Sequence, residues 1–335
     1  DIIMTLNLIP ELQKKYPEHT IDYFCNPYIG QGLKYLMVSA GINKILENTA
    51  YRDSIKNYAH AFNLVGYPFK EGYPNKPMGD HLIRYYAKDM GLDVDGIPAL
   101  TLPTPPNPVK DSIPYATLQV KTGWSNYKEW EMSKWETIVK QCDFPVIQIG
   151  AADHPKIAGA IHDYMGTSLF TAISLLANAK IHLGVDSFAN HLTHYNWLQN
   201  NQTRKVPAVI LWGSSQYSAA GYQHNVNISA GLPCQPCFKQ DPKLFKNDNR
   251  GPCDNPPNQI YSEPHHKCMG DITVDMVMPH VKDIWKKTPN NIVAATKPSI
   301  GLVMIVKNEE HVLPELFESI WQMIDYWVIT DTGST

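Results

Sequence analysis

Three absences narrow this 335-residue chain before any motif is read. No stretch of about 20 residues is continuously apolar, the length a membrane-spanning helix needs; the best run, Ser168 to Val185, is interrupted by Asn178, Lys180 and His182. No transmembrane segment is expected. Neither sign of charge dominates: 29 Lys and Arg stand against 32 Asp and Glu, a net charge of −3. Without a long-range basic field, broad binding to nucleic acid or to an anionic membrane surface has no electrostatic support. The N-terminus, DIIMTLNLIPELQKKYP, has no basic start, no small-residue cleavage site and no initiating Met. It therefore reads as an internal segment and not as a secretory leader.

What is present is globular: 43% hydrophobic and 18% charged residues. At this length two domains with a cleft between them are expected, since single cores rarely grow past ~250 to 300 residues. Four of the six cysteines fall between Cys234 and Cys268, leaving Cys25 and Cys142 alone in apolar, strand-like contexts. Two lone thiols favour a reducing, cytoplasmic location, with any membrane association peripheral.

Along the chain, residues 3–15 read as a helix, 21–25 as a strand and 32–40 as a helix. A further helix from His81 to Met90 stops at Gly91. This alternation predicts a parallel, Rossmann-like sheet. The run TLPTPPNPVKDSIP, residues 101–114, carries five prolines; it cannot be a central strand or a helix interior and is taken as an interdomain linker. After it a second βαβ series begins: strands at 116–120, 146–149, 181–184 and 208–211, helices at 134–141, 169–177 and near Asn190. Residues 234–266 read as an irregular insertion closed by a helix at 274–285. A polar linker at 288–298 leads to a new apolar strand at 300–306.

Parallel strands deliver their C-terminal ends to a common crevice, so ligand residues should cluster there. Four strand-end loops stand out: VKTGWSNYKEW, IGAADHP with Gly150, GVDSFANHL, and LWGSSQY with Gly213 and Ser214. Lys128 is a cation at the cleft mouth, able to neutralise a diphosphate, or else a solvated lysine. Asp186 and Ser187 sit on a strand-to-helix turn, where the serine either caps the helix or holds a phosphate. His191 lies about one helical turn on and could face the same ligand, or be a satisfied structural residue.

The order and spacing of NYKEW, IQIGAADHP, GTSLFTAISLLANAKIHLGVDSFANHLTHY, VPAVILWGSS and LPCQPCFK…HHKCMGDI resemble glycosyltransferase family nine, the heptosyltransferases. The resemblance covers almost the whole second series. It implies an α/β protein of GT-B fold, two Rossmann-like domains with parallel sheets facing across a cleft: an acceptor-side domain at 1–110 lacking its first strand, and a nucleotide-sugar-binding domain at 115–287 with its cysteine-bearing insertion at 234–268. The family's donor-phosphate lysine maps to Lys128, and its DSGxxHL loop to Asp186, Ser187 and His191. The family's glycine in that loop is Phe188 here, a bulk expected to alter how closely the backbone approaches phosphate. The opening DIIMTLNLIPELQKKYPEHTIDYF resembles the family's first helix, beginning at its proposed general base, which maps to Asp1.

The implied chemistry is one inverting, metal-independent displacement that needs no cofactor. A sugar passes from a nucleotide-sugar donor to a glycan or lipid-linked acceptor, Asp1 taking the acceptor proton and Lys128 meeting the charge of the leaving diphosphate. Cys234, Cys237, Cys253 and Cys268, with His265 and His266 nearby, form a candidate structural zinc site, although only the first pair is a CxxC. Residues 298–335 resemble the opening of a different family, the family-two glycosyltransferases of GT-A fold, with Asp331 at the loop that meets the nucleotide base. Two other readings stand beside the transferase: a noncatalytic GT-B-like domain for protein contact, which Phe188 favours, and a nucleotide-sugar epimerase, for which no additional acid and base are evident.

Overall fold

The computed structural model describes residues 2–25, 31–47, 55–64, 78–109, 113–122, 126–238, 266–290, 301–320, 323–324 and 326–334. Asp1, Cys253, His265 and most of the insertion expected at 234–268 lie outside them. The chain forms two compact units, one of residues 1–109 with 114–290 and one of residues 110–113 with 291–335.

The larger unit is built around a parallel five-stranded sheet of β4 (Ala116–Gln119), β5 (Val146–Gln148), β6 (Ile181–Val185), β9 (Ala208–Trp212) and β10 (Val226–Ser229), in the order β10-β9-β6-β4-β5. Strands β4, β6 and β9 are buried along their whole length. That is why they read as near-continuous apolar runs: helices cover both faces of a parallel sheet. The exceptions are polar residues that find partners in the sheet or just beside it. Thr117 Oγ1 lies 3.0 Å from His182 Nδ1, and Gln148 Oε1 accepts from the Ile157 backbone N–H at 2.8 Å.

The strand order places a switch between β4 and β6. From β4 the chain moves outward to β5, then returns to the other side of β4 and proceeds through β6, β9 and β10. Connections on either side of this point leave in opposite directions, which is where a doubly wound sheet is expected to take a ligand, beyond the ends of β4 and β6.

The N-terminal part contributes a two-stranded parallel sheet, β1 (Asp22–Cys25) with β2 (Lys44–Glu47). It does not carry one long first helix. Helices Ile2–Leu6 and Ile9–Lys15 are separated at Asn7–Leu8, with Pro10 in the first turn of the second. A proline has no N–H to donate to the preceding turn, and the first turn is where that costs least. The proline-rich stretch also differs from the linker expected. Thr101–Pro103 forms β3 and pairs in parallel with β7 (Asn196–Gln199), which pairs antiparallel with β8 (Gln202–Arg204). The strand survives because it is at the sheet edge, the one place a strand tolerates Pro103.

One hydrophobic cluster joins the N-terminal helices to the second series. Ile3, Leu6, Leu36 and Leu102 pack with Ile173, Leu176, Leu192 and Trp197, all 7% exposed or less. Polar contacts cross the same seam: Tyr195 donates to the Ile3 carbonyl at 2.8 Å and Asn7 accepts from the Leu100 N–H at 2.8 Å. The smaller unit pairs β11 (Gly301–Val306) in parallel with β12 (Tyr326–Asp331), with helix Leu313–Ile320 between them in the chain. Among the described residues no helix is long and apolar enough to cross a membrane.

Candidate functional site

The crevice beyond β4 and β6 collects the residues that the strand-end loops supply. Lys128 ends a single turn, Asn126–Lys128, that follows β4. Its Nζ lies 2.6 Å from Oδ2 of Asp186, the first residue after β6, and the two side chains are 18% and 7% exposed. Burial disfavours the Asp186 carboxylate, but the charge and hydrogen bond of Lys128, with smaller contributions from Ser215 and His191, outweigh that penalty. The carboxyl is held below its ordinary range.

A glycine allows this approach. A Cβ on Gly213, just past β9, would stand 2.1 Å from the Tyr127 carbonyl oxygen and 3.0 Å from Met269 Sδ. Only a residue without a side chain lets the Lys128 turn and the helix Lys267–Gly270 close over the strand end together. His266, which precedes that helix, lays its ring on Tyr127 with centroids 3.6 Å apart.

Of the two roles expected of Ser187, the structure does not show the helix cap. Its side chain makes no cap for helix Phe188–Leu192; the hydroxyl donates to Gln119 Oε1 at the end of β4, at 2.7 Å. Gln119 thus ties the two strands that flank the switch. Five residues are also too few for a helix dipole of consequence, so the charge of the site resides in Lys128. Phe188 takes a right-handed backbone, with no positive φ of the kind glycine would supply, and packs into the cluster around Leu192 and Trp197. It introduces no backbone strain beside the crevice.

His191 is half-buried. Burial is the largest influence on its ring, pushing its pKa down to about 3; Lys128 acts in the same direction and Asp186 against it. Its Nδ1 lies 3.0 Å from the Tyr222 hydroxyl. Gly150 lies two residues past the sheet-edge strand β5, and its carbonyl accepts from the Gly166 N–H at 2.8 Å. Ser214 is buried, its carbonyl accepting from the Phe238 N–H at 2.7 Å, while Gln235 donates to the Gly213 carbonyl at 2.6 Å. The Cys234–Cys237 loop is therefore tied to the end of β9. Among the described residues no three His, Cys, Asp or Glu side chains are grouped to hold a metal.

Residues that the sequence did not single out complete the site. Lys121 bridges Glu129 at 3.0 Å across residues 122–128, and Gln119 and Tyr222 order the two site loops. The lysine and glutamate share a loop with Lys128, so proximity was a signal for them. Tyr222 follows the next strand but one and had none. In the smaller unit, Asp331 Oδ1 accepts from Gly333 N, Ser334 N and Ser334 Oγ at 3.1, 3.0 and 2.8 Å. The Ser334 hydroxyl is the main cause of its lowered pKa.

A doubly wound parallel sheet with a charged pair at its switch point, joined through a common core to an N-terminal α/β segment, has the GT-B fold. Solved structures of family-nine glycosyltransferases share it. The ADP-heptose lipopolysaccharide heptosyltransferase II of E. coli matches at 15% identity with a TM-score of 0.56, over 85% of this chain and 95% of that one. A family 9 glycosyl transferase of Veillonella parvula matches at 11% identity and 0.55, over 85% and 94%. The iron-containing dodecameric glycosyltransferase TibC of enterotoxigenic E. coli matches at 14% and 0.51, over 80% and 78%. No protein-family profile and no curated relative matches the sequence.

Proposed function

We propose that this chain is a glycosyltransferase that moves a sugar from a nucleoside-diphosphate donor to a glycan or lipid-linked acceptor, with inversion and without a metal or cofactor. The buried Lys128–Asp186 pair at the switch point carries this reading. A lysine partnered by a carboxylate is a preorganised cation, able to turn to a diphosphate when one enters. The resemblance in five ordered motifs and the shared GT-B fold support it, and TibC has been solved with ADP-D-β-D-heptose. ADP is therefore the first nucleotide to test.

In the displacement, an acceptor hydroxyl oxygen forms a bond to the anomeric carbon as the bond from that carbon to the diphosphate breaks. The proton of the hydroxyl goes to a carboxylate base, the role assigned to Asp1 by resemblance. The leaving diphosphate takes the electron pair, and Lys128 meets the charge, with backbone N–H groups near Ser187 and Ser214 completing the cradle. Gly213 lets the Lys128 turn pack close on the end of β9, and Gly150 is the second strand-end glycine of the same reading.

The division into an acceptor-side segment at 1–110, a donor segment at 115–287 and the start of a second transferase at 298–335 belongs to the same reading, as does a cytoplasmic location. Cys234, Cys237, Cys253 and Cys268 are a candidate structural zinc site that the chemistry does not use. Metal content of the purified protein tests it: the site predicts one zinc per chain, lost in Cys234→Ser.

Calorimetric titration with ADP, GDP and UDP tests the donor site. Lys128→Ala is expected to weaken the preferred nucleotide by roughly 10- to 100-fold, the worth of a charge-assisted hydrogen bond to phosphate. Asp186→Ala, which frees the lysine but removes its anchor, should change affinity as well. Binding of none of the three, or binding indifferent to both substitutions, overturns the reading.

A further inference from the structure

Tyr222 is 1% exposed and its ring is held by four histidines. It stacks on His194, centroids 4.1 Å apart at 10°, and meets His81 at 5.3 Å, His224 at 5.9 Å and His191 edge-on at 5.9 Å. A tyrosine so enclosed cannot swing its hydroxyl away, and that hydroxyl ends 3.0 Å from His191 Nδ1.

The hydrogen-bond partners decide which nitrogen of each ring carries the proton. His81 Nδ1 accepts from the Ile83 N–H at 3.2 Å, so its proton is on Nε2. His194 Nε2 faces the Pro98 carbonyl at 2.9 Å and His224 Nε2 the Thr193 carbonyl at 3.0 Å, and both must donate. For His191 the partner is a hydroxyl, which can act either way. Among the described residues, however, His191 Nδ1 is the one hydrogen-bond partner of the Tyr222 hydroxyl. If Nδ1 carried the proton, the buried O–H would have no acceptor, at a cost of about 1–3 kcal/mol. The Tyr222 hydroxyl therefore donates, and His191 Nε2 holds the proton. Nε2 makes no hydrogen bond among the described residues, on a ring carried by helix Phe188–Leu192, the short helix that follows Asp186 and Ser187 at the end of β6.

We propose that Tyr222 is a positioning residue that locks His191 as its Nε2–H tautomer, so that this N–H is held ready to donate to an oxygen of the donor diphosphate. The inference rests on the donor-site reading above. Its consequence is a division of labour: Lys128 supplies charge, and His191 supplies a directed donor and no proton transfer. The ring does not need to be cationic to bind, and burial keeps it neutral.

Nitrogen-15 NMR of the full chain with labelled histidine reads the tautomer directly, without any ligand. The wild type is expected to show His191 with a protonated Nε2 and a bare Nδ1, and Tyr222→Phe to show averaged, mixed nitrogens with ADP affinity weakened about three- to tenfold, the worth of one hydrogen bond. In a His191→Gln background the Tyr222→Phe change should then leave ADP affinity unaltered, because the tyrosine acts only through the ring. A wild-type His191 protonated on Nδ1, or a Tyr222→Phe protein whose His191 signals are unchanged, overturns the lock even if the variant binds ADP poorly. A wild type with the expected ring that binds none of ADP, GDP and UDP overturns the donor site and the role assigned to the N–H, while the lock is judged on the NMR signal alone.

Discussion

At the scale of single residues, the site is organised by what is missing from Gly213 as much as by what Lys128 carries. The Tyr127 carbonyl stands 2.1 Å from where a Cβ would be, and that oxygen belongs to backbone, which cannot swivel aside as a side chain can. Gly213→Ala is expected to push the Lys128 turn off the strand end, at a stability cost of about 1–3 kcal/mol, the usual range for overpacking. Nucleotide affinity should fall in the same variant. Denaturant titration and calorimetry of one preparation check both, and an alanine protein with wild-type stability would show that the turn is less constrained than its contacts imply. The sequence signalled Gly213 only as part of a strand-end loop. Its partner, Tyr127, is 86 positions away by the numbering, and no local rule connects them.

At the scale of elements, the helices obey local chemistry closely enough to be read in advance. Helix Leu169–Asn178 begins at Ser168, whose hydroxyl oxygen accepts from the Thr171 N–H at 3.1 Å. Ser168→Ala should cost about 1 kcal/mol, the typical worth of an N-cap, seen as a lower midpoint in urea with an unchanged slope. A change in slope would mean that the substitution alters the unfolded chain or the cooperativity instead. The same cap is absent at Ser187, whose hydroxyl is instead directed across the strand gap to Gln119. The short strands show the complementary case. Residues 101–103 are excluded from a central strand by their prolines and read as linker, yet an edge position with parallel pairing to β7 accommodates them. Propensity described each segment alone, and pairing decided between acceptable outcomes.

At the scale of the molecule, a set of buried neutral histidines makes stability depend on acidity. His81, His182 and His194 are 3%, 0% and 6% exposed, and burial is the main cause that lowers them to about 4, 3 and 3. In the unfolded chain they would titrate near 6.5, so between about pH 6.5 and pH 4 the unfolded state binds more protons than the folded one. Stability must fall as pH falls through that window. At pH 5 each ring contributes a loss on the order of 1–2 kcal/mol relative to pH 7. The lowered Asp186 acts in the same direction, its contribution disappearing at still lower pH. Urea midpoints measured at pH 7, 6 and 5 should decrease steadily. A flat profile would show that these rings find protonated partners on acidification.

The sequence by itself determined the class of element at nearly every position where periodicity and punctuation agree. The parallel α/β series, the Gly91 stop, the strand-end loops and the residues Lys128, Asp186, Ser187 and His191 all follow from local chemistry and ordered motifs. It also identified the crevice as a place, because parallel strands end on one side. Only the tertiary structure decided what those residues do to one another: Lys128 paired with Asp186, Ser187 bound to Gln119, and Tyr222 holding His191. The physical reason is range. Caps, turns and burial patterns act over a few residues, whereas these contacts join strands 30 to 70 positions apart and depend on the strand order, which no local preference encodes.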